Sequence, residues 1–236
     1  MEENHTIVIF SGAGMSAESG IQTFRGNDGL WENHRIEDVA TPDAWKKDPA
    51  LVTRFYNERR KTIIDATPNE AHMVIGKLES MAKTHVVTQN IDDLHERAGS
   101  SHVHHLHGNI RYAKSSGTNQ ESAYYRIEGW ELTEKDVCPE GSQLRPHVVW
   151  FGESVPAYDE AADILMRADI LIVIGTSLQV HPAAGLVHAA QHARLKYIID
   201  PNAESLSVPE DFIRISSNAS TGIKSILPEI KKALSL

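Results

Sequence analysis

The stretch IVIFSGAGMSAESG (residues 7–20) puts an apolar, β-branched run directly before Gly12, Gly14 and Ala17, with a Ser- and Glu-rich segment directly after. A buried strand feeding a G-x-G-x-x-[GA] turn lets backbone N–H groups approach a dinucleotide pyrophosphate, and the following helix N-terminus adds favourable charge. A plain strand-to-helix turn is the competing reading, and the motif alone does not separate the two. The usual fingerprint continues into a second strand within a ~30-residue unit, with an acidic residue ~20 positions on. Here the chain instead runs into IQTFRGNDGLWENHRIEDVATP (21–42), loop-like and full of Gly, Asp and Asn. That is not an ordinary dehydrogenase opening. A long loop beside a pyrophosphate is typical of a cover over a reaction centre.

Outward from this turn, short apolar runs recur at TIVIF (6–10), HVVTQ (85–89), HVVWF (147–151), ILIVIG (170–175) and KYIID (196–200), and they read as buried strands. Between several of them lie stretches with helical spacing, at 49–64, 68–82, 157–168 and 182–193, three with Pro in their opening positions. Strands separated by helices imply crossover connections, and so an α/β fold with a Rossmann-like, doubly wound parallel sheet. Residues 111–145, RYAKSSGTNQESAYYRIEGWELTEKDVCPEGSQLR, break the rhythm with polar, turn-rich sequence. The reading is one domain over residues 1–236 carrying a small inserted module at 111–145.

Composition narrows the class. With 41% hydrophobic and 23% charged residues the chain is globular, and its longest apolar runs are far shorter than the roughly 20 residues of a membrane span. A net charge of −9 argues against direct nucleic-acid binding. A single cysteine rules out an internal disulfide framework and suits a reducing cytoplasm. The expectation is a cytoplasmic protein with neither membrane nor nucleic acid as partner.

Two further segments carry chemistry. TQNIDDLHERAG (88–99) ends a strand with Gln89, Asn90 and Asp92, at the edge that faces the ligand crevice in open α/β sheets. Their side chains suit ribose hydroxyls or a carboxamide, and an Asx turn capping the next helix is the alternative use. HVHHLHGNI (102–110) holds four histidines. Strand alternation sends His102 and His104 to one face and His105 and His107 to the other, so they do not form one site. His107 stands apart because Gly108 and Asn109 follow it, where a strand would end at the ligand edge.

These residues resemble the sirtuin family, NAD-dependent protein-lysine deacylases, through GAGMSAESGIQTFRG, TQNIDDLHERAG, HGN, HVVWFGE and GTSLQVHPAA, in the family's order over residues 12–184. The resemblance implies NAD as cofactor and acylated lysine side chains of proteins or peptides as partners. It implies that Gly12 to Trp31, with Ala13, Gly14, Ser16 and Ala17, wraps the NAD, and that Phe24 and Arg25 cover the reacting ribose. Gln89, Asn90, Ile91 and Asp92 would hold nicotinamide and its ribose; Gly175, Thr176 and Ser177 the adenosine side; Val149, Trp150, Phe151 and Gly152 the substrate peptide, paired as a strand. His107 would be the general base, with Asn90 and Asp92 beside it as catalytic residues. The implied reaction attaches the acyl oxygen to the ribose carbon that bears nicotinamide. Nicotinamide leaves, the base then activates a ribose hydroxyl that attacks the amidate carbon, and water finally yields free lysine and O-acyl-ADP-ribose. Neutral imidazole suits that task at neutral pH.

Within RFYNERRK (54–61), Tyr56 and Arg59 share a helix face, while Arg60 and Lys61 read as a solvated basic face. Y-x-x-R resembles the sirtuins that remove succinyl and malonyl groups, with Ala44 as the small residue that makes room. A guanidinium fork pairs with a carboxylate bidentately and a phenol adds one bond. The chain departs from the family at the zinc module, where Cys138 is alone. One thiolate cannot make a closed tetrahedral site, so no metal is expected, and Trp130, Tyr124 and Tyr125 would hold the module. Asp200 stands where the family commonly has Asn on the adenosine ribose, and it disfavours a 2′-phosphate. Ala219 falls near the family's last adenine contact. The competing functions are an ADP-ribosyltransferase on the same site, a non-catalytic NAD or ADP-ribose sensor and an oxidoreductase.

Overall fold

The computed structural model describes residues 5–23, 30–31, 34–118 and 120–234. In chain order its elements are β1 (Thr6–Ser11), β2 (Leu30–Trp31), β3 (His34–Arg35), α1 (Ile36–Val39), α2 (Pro42–Lys47), α3 (Pro49–Asp65), α4 (Glu70–Leu78), β4 (Lys83–Thr88), α5 (Leu94–Arg97), β5 (Val103–His105), β6 (Gly108–Ser115), β7 (Tyr124–Arg126), β8 (Leu144–Val148), α6 (Tyr158–Met166), β9 (Ile170–Ile174), β10 (Leu195–Ile199), β11 (Ile213–Ile215) and α7 (Ala219–Leu234).

Six strands form one sheet in the order β11-β10-β9-β1-β4-β5, every pair parallel. In sequence rank this is the 3-2-1-4-5-6 order of a doubly wound dinucleotide fold, so the connections reverse direction between β1 and β9. Both faces are covered, which is why the strands read as unbroken apolar runs. Val8 and Phe10 pack with Ala161, Ile164 and Leu165 of α6 and with residues 183–190; Ile7 and Ile9 pack with Ile75 and Leu78 of α4 and Ile223, Ile226 and Ile230 of α7. Among the described residues no helix is long and apolar enough to cross a membrane.

Two expected elements differ. HVVWF does not join the parallel sheet. Its first residues end β8, which with β6 and β7 forms a separate antiparallel sheet, and Val149–Phe151 leave it as a turn. An apolar β-branched run reports burial, not which sheet buries it. The stretch 182–193 forms a 3-10 helix over Ala183–His188 rather than a long α-helix.

Helix α3 starts at an Asp48 cap, whose carboxylate accepts from the Leu51 N–H at 2.8 Å, with Pro49 in the first turn. Arg60 is fully buried and is not part of a solvated face. Its Nε donates to the Ile110 carbonyl at 2.6 Å and its Nη1 to Trp130 O at 2.8 Å and Asn57 Oδ1 at 2.7 Å. Asn57 and Leu132 also exchange bonds, at 2.8 and 3.0 Å. Burial and nearby Arg111 lower the Arg60 pKa to about 10. Helical spacing placed Arg60 outward; docking of the antiparallel sheet turns that face into an interface.

The core beneath this sheet is Ala113, Ile127, Leu132, Cys138 and Leu144, with Tyr125 at its margin. Trp130 and Tyr124 are exposed and do not hold it together. Tyr124 stacks on His147 at 3.9 Å and bonds Glu121, and Trp130 lies 5.6 Å from the Lys61 ammonium. Zinc does not fit here: the Cys138 sulfur sits 3.4 Å from Ser115 Oγ inside the apolar cluster, and no described group of three His, Cys, Asp or Glu is arranged to hold a metal.

Candidate active site

Parallel strands bring their C-terminal ends to one edge, and Gly12, Gln89, Gly175 and Asp200 each directly follow such an end. At the switch point the loops after β1 and β9 touch backbone to backbone. Gly12 N–H donates to Ile174 O at 3.1 Å and Gly14 N–H to Gly175 O at 2.8 Å. Gly175 has φ +63°, and a Cβ there would lie 2.2 Å from Met15 N, so only glycine closes this contact. Ala13 and Ala17 open successive 3-10 turns, with Ser16 between them. The Gly12 and Gly14 amides thus stitch the crevice floor together.

The strand end after β4 converges on this loop. Ser16 Oγ donates to Asp92 Oδ2 at 2.9 Å and accepts from Asn90 Nδ2 at 3.1 Å, while Asp92 Oδ1 accepts from Leu94 N–H at 3.1 Å. Asp92 therefore both makes the Asx turn and faces the glycine loop. Burial raises its pKa against the pull of the Leu94 and Ser16 bonds. Gln89 Nε2 donates to Thr176 Oγ1 at 3.0 Å, tying β4 to β9. Beneath, Ser11 Oγ donates to Thr88 Oγ1 at 2.9 Å and lies 3.0 Å from His95 Nε2, and Thr88 Oγ1 accepts from Asn90 N–H.

The histidines separate by partner. His102 and His104 lie with their ring centroids 5.2 and 5.8 Å from His85. His105 lies 2.9 Å from the Asn90 carbonyl through Nδ1 and 2.8 Å from a Glu96 carboxylate oxygen through Nε2. Both of these partners are acceptors and favour the protonated ring, while the Asn109 amide nitrogen lies 3.3 Å from the same Nε2. Burial opposes this, but Glu96 prevails and the pKa is raised. His107 Nδ1 contacts only a carbonyl, Gln89 O at 3.0 Å, so Nδ1 holds the proton and Nε2 keeps its lone pair. Burial outweighs that bond and lowers its pKa. Strand alternation stops at His105; His107 lies in the following turn, where Gly108, at φ +82°, packs against His147 O with no room for a Cβ.

A third group forms on α3. Tyr56, Ala44 and Trp150 share one buried cluster with Trp31 against it, and the Arg59 guanidinium lies 4.2 Å over the Trp31 ring. Trp31 meets the Phe55 and Tyr56 rings edge-on at 5.2 and 6.3 Å. The Tyr56 hydroxyl and the Trp150 indole N–H are buried side by side: the indole N–H is within reach of the phenol oxygen, while the phenol proton has no acceptor among the described residues. Burial drives the Tyr56 pKa far above normal, opposed by Arg59 and Trp150.

Of the remaining expected residues, Ile91 lies in the turn after β4 and accepts from Ile110 N–H at 2.8 Å, Ser177 follows Thr176, and Asp200 is buried with its carboxylate accepting from Asn202 N–H at 2.9 Å. Ala219 begins α7 and packs in the cluster containing Met15, and the neighbouring Ser220 N–H donates to Glu18 of the glycine loop at 3.0 Å. Phe24 and Arg25 lie outside the described residues. The sequence reading assigned no role to Ser11, Thr88 and His95 under Asn90 or to Arg145 and Glu153 beside Trp150, although Ser11, Thr88, His95 and Glu153 all lie inside quoted motifs.

The strand order with its switch point between β1 and β9 is that of a dinucleotide-binding class of fold, and His107 is held on Gln89 at the end of β4. The Sir2 family model matches residues 12–182, and the chain belongs to that family. It is 46% identical over 224 residues, 95% of this chain and 96% of the relative, to an NAD-dependent protein deacylase of Helicobacter pylori. A Sir2 homologue solved as an NAD complex superposes with a TM-score of 0.84 at 39% identity, over 99% of this chain and 92% of that one. A Sir2 complex with a p53 peptide and NAD superposes at 0.77 with 29% identity, over 96% and 94%. The protein is an NAD-dependent protein deacylase.

Proposed function

We propose that this deacylase acts on acylated lysine of proteins or peptides, accepts acidic short acyl groups such as succinyl and malonyl as well as acetyl, and uses His107 as its base. Gly12 to Ser16 and Ala17, Gln89 to Asp92, Gly175 to Ser177 and Asp200 line one strand-end edge suited to NAD. Asn90 and Asp92, locked to Ser16, orient hydroxyl and amide groups there. His107 Nε2 takes the proton of a ribose hydroxyl. When bound, NAD supplies the electrophilic ribose carbon and the nicotinamide leaving group.

The single observation behind the acyl preference is the buried Tyr56 hydroxyl, whose proton has no acceptor among the described residues, in the cluster that also holds Ala44 and Trp150, with Arg59 on the same helix face. Buried donors require an acceptor. The raised Tyr56 pKa keeps its phenol protonated, and Arg59 supplies the charge that a carboxylate needs. Steady-state rates on acetyl-, succinyl- and malonyl-lysine versions of one peptide test this; an enzyme inactive on both acidic groups contradicts it.

A peptide at Val149–Gly152 would donate its own amides to carbonyls of that segment. Its Val149, Trp150 and Phe151 N–H groups already donate, to His107 O at 2.9 Å, Glu153 Oε2 at 2.8 Å and Ala40 O at 3.0 Å.

The pH profile follows from His107. A base must be neutral, and burial lowers its pKa, so kcat/KM is flat through neutrality and falls only as pH drops below the ordinary imidazole value of about 6.5. An acid limb centred above that value contradicts the assignment.

A further inference from the structure

One buried guanidinium organises the turn between the antiparallel sheet and the proposed peptide edge. Arg145 lies on β8 opposite Lys114 of β6, and its side chain is 3% exposed. Its Nη1 and Nη2 donate to the two Glu153 oxygens at 2.7 and 2.9 Å, Nη2 also to Val148 O at 2.9 Å, and Nη1 to Gln120 Oε1 at 3.1 Å. The guanidinium carbon lies 3.3 Å from the Trp150 ring centroid. Glu153 closes the turn from the other side: its Oε2 accepts from Trp150 N–H at 2.8 Å, and its own N–H donates to Trp150 O at 3.0 Å. Residues 148, 150 and 153 are thus tied to one ion pair.

A buried pair of this kind is weak support for stability, because desolvation offsets its attraction. What it supplies is fixed geometry. The planar fork and the stacked ring hold a segment that contains no regular strand, and lysine could reproduce neither. Direct binding of an acyl carboxylate is a poor fit for Arg145, since Glu153 occupies both terminal nitrogens.

We propose that Arg145 is a positioning residue: through Glu153 and Trp150 it sets the shape of the 148–153 turn, so that the antiparallel sheet governs affinity for the acyl peptide and not for NAD. This rests on the reading that Val149–Gly152 receives the peptide. Exposed Phe151 follows Trp150 on that edge, makes none of the Arg145 and Glu153 side-chain bonds given above, and tests the reading separately.

The experiment measures kcat and KM for peptide and for NAD, with acetyl- and succinyl-lysine substrates, in R145Q, R145K, E153Q, R145Q/E153Q and F151A, with thermal unfolding as a check of folding. Loss of charge-assisted bonds predicts that R145Q and E153Q each raise the peptide KM about 10- to 100-fold for both acyl groups. KM for NAD and kcat stay near wild type, R145K recovers only part, and the double variant is little worse than either single one. The less buried Glu153 carries the test if R145Q does not fold. An unchanged peptide KM in folded E153Q, or a loss in kcat alone, overturns the clamp. An effect confined to succinyl-lysine overturns it too, and assigns the clamp to the acyl-reading cluster of Tyr56 and Trp150 instead of the peptide edge. If F151A raises the peptide KM and the clamp variants do not, the clamp alone is wrong; if F151A also leaves it unchanged, the peptide edge is wrong and the clamp falls with it.

Discussion

His107→Ala is expected to lose NAD-dependent deacylation by about 10² to 10⁴-fold, the usual worth of a positioned general base, while unfolding at nearly the wild-type temperature. The ring makes one hydrogen bond, to the Gln89 carbonyl, and removing it opens a partly exposed crevice rather than the core. His107→Tyr should behave alike, because a phenol is too weakly basic to take the proton at neutral pH. His105→Ala is the informative contrast. It removes the ring that bridges Asn90 O and Glu96, so its cost appears as altered positioning of Asn90 and lowered stability, with some turnover retained. Wild-type turnover in a folded His107→Ala variant would remove His107 from the mechanism.

Arg59→Met should lower kcat/KM for succinyl-lysine about 10- to 100-fold relative to acetyl-lysine, in line with a charge-assisted bidentate contact of roughly 1.5–3 kcal/mol. Methionine keeps much of the apolar stem over Trp31 and removes only the charge. Tyr56→Phe should show a smaller loss of the same sign, since it deletes one neutral donor whose proton has no acceptor among the described residues. Equal effects on the two acyl groups would mean that the pair shapes the pocket without reading the carboxylate.

β1 and β9 were legible because nothing polar interrupts their apolar runs, and β4 and β10 because Val86–Val87 and Tyr197–Ile199 stay apolar and buried; with the helices between them they give the parallel sheet. The three-residue strands β5 and β11 at the sheet edges are too short for a periodic signal. Helix α7 is hidden by Pro228 within its span. HVVWF looked like its neighbours because hydrophobicity does not distinguish a parallel core strand from a short antiparallel one.

At the site, Gln89, Asn90 and Asp92 could be placed at the crevice because a strand end predicts its own edge. His107 stood out through Gly108, whose left-handed backbone marks the turn. Arg60 and Arg145 were beyond such reasoning. Their burial depends on how β6 and β8 dock on α3 and on the 148–153 turn, a long-range fact without local signature. Trp130 misled in the opposite way: a large aromatic in a small module suggests its core, yet Leu132 and Cys138 fill that place.

The most direct test of the central claim is mass spectrometry of the products formed from NAD and one succinyl-lysine peptide. The account predicts free lysine peptide, nicotinamide and O-succinyl-ADP-ribose in equal amounts, with the free peptide and O-succinyl-ADP-ribose formed about 10²- to 10⁴-fold more slowly by His107→Ala. Peptide or protein carrying ADP-ribose, with the succinyl group still on lysine, would contradict it.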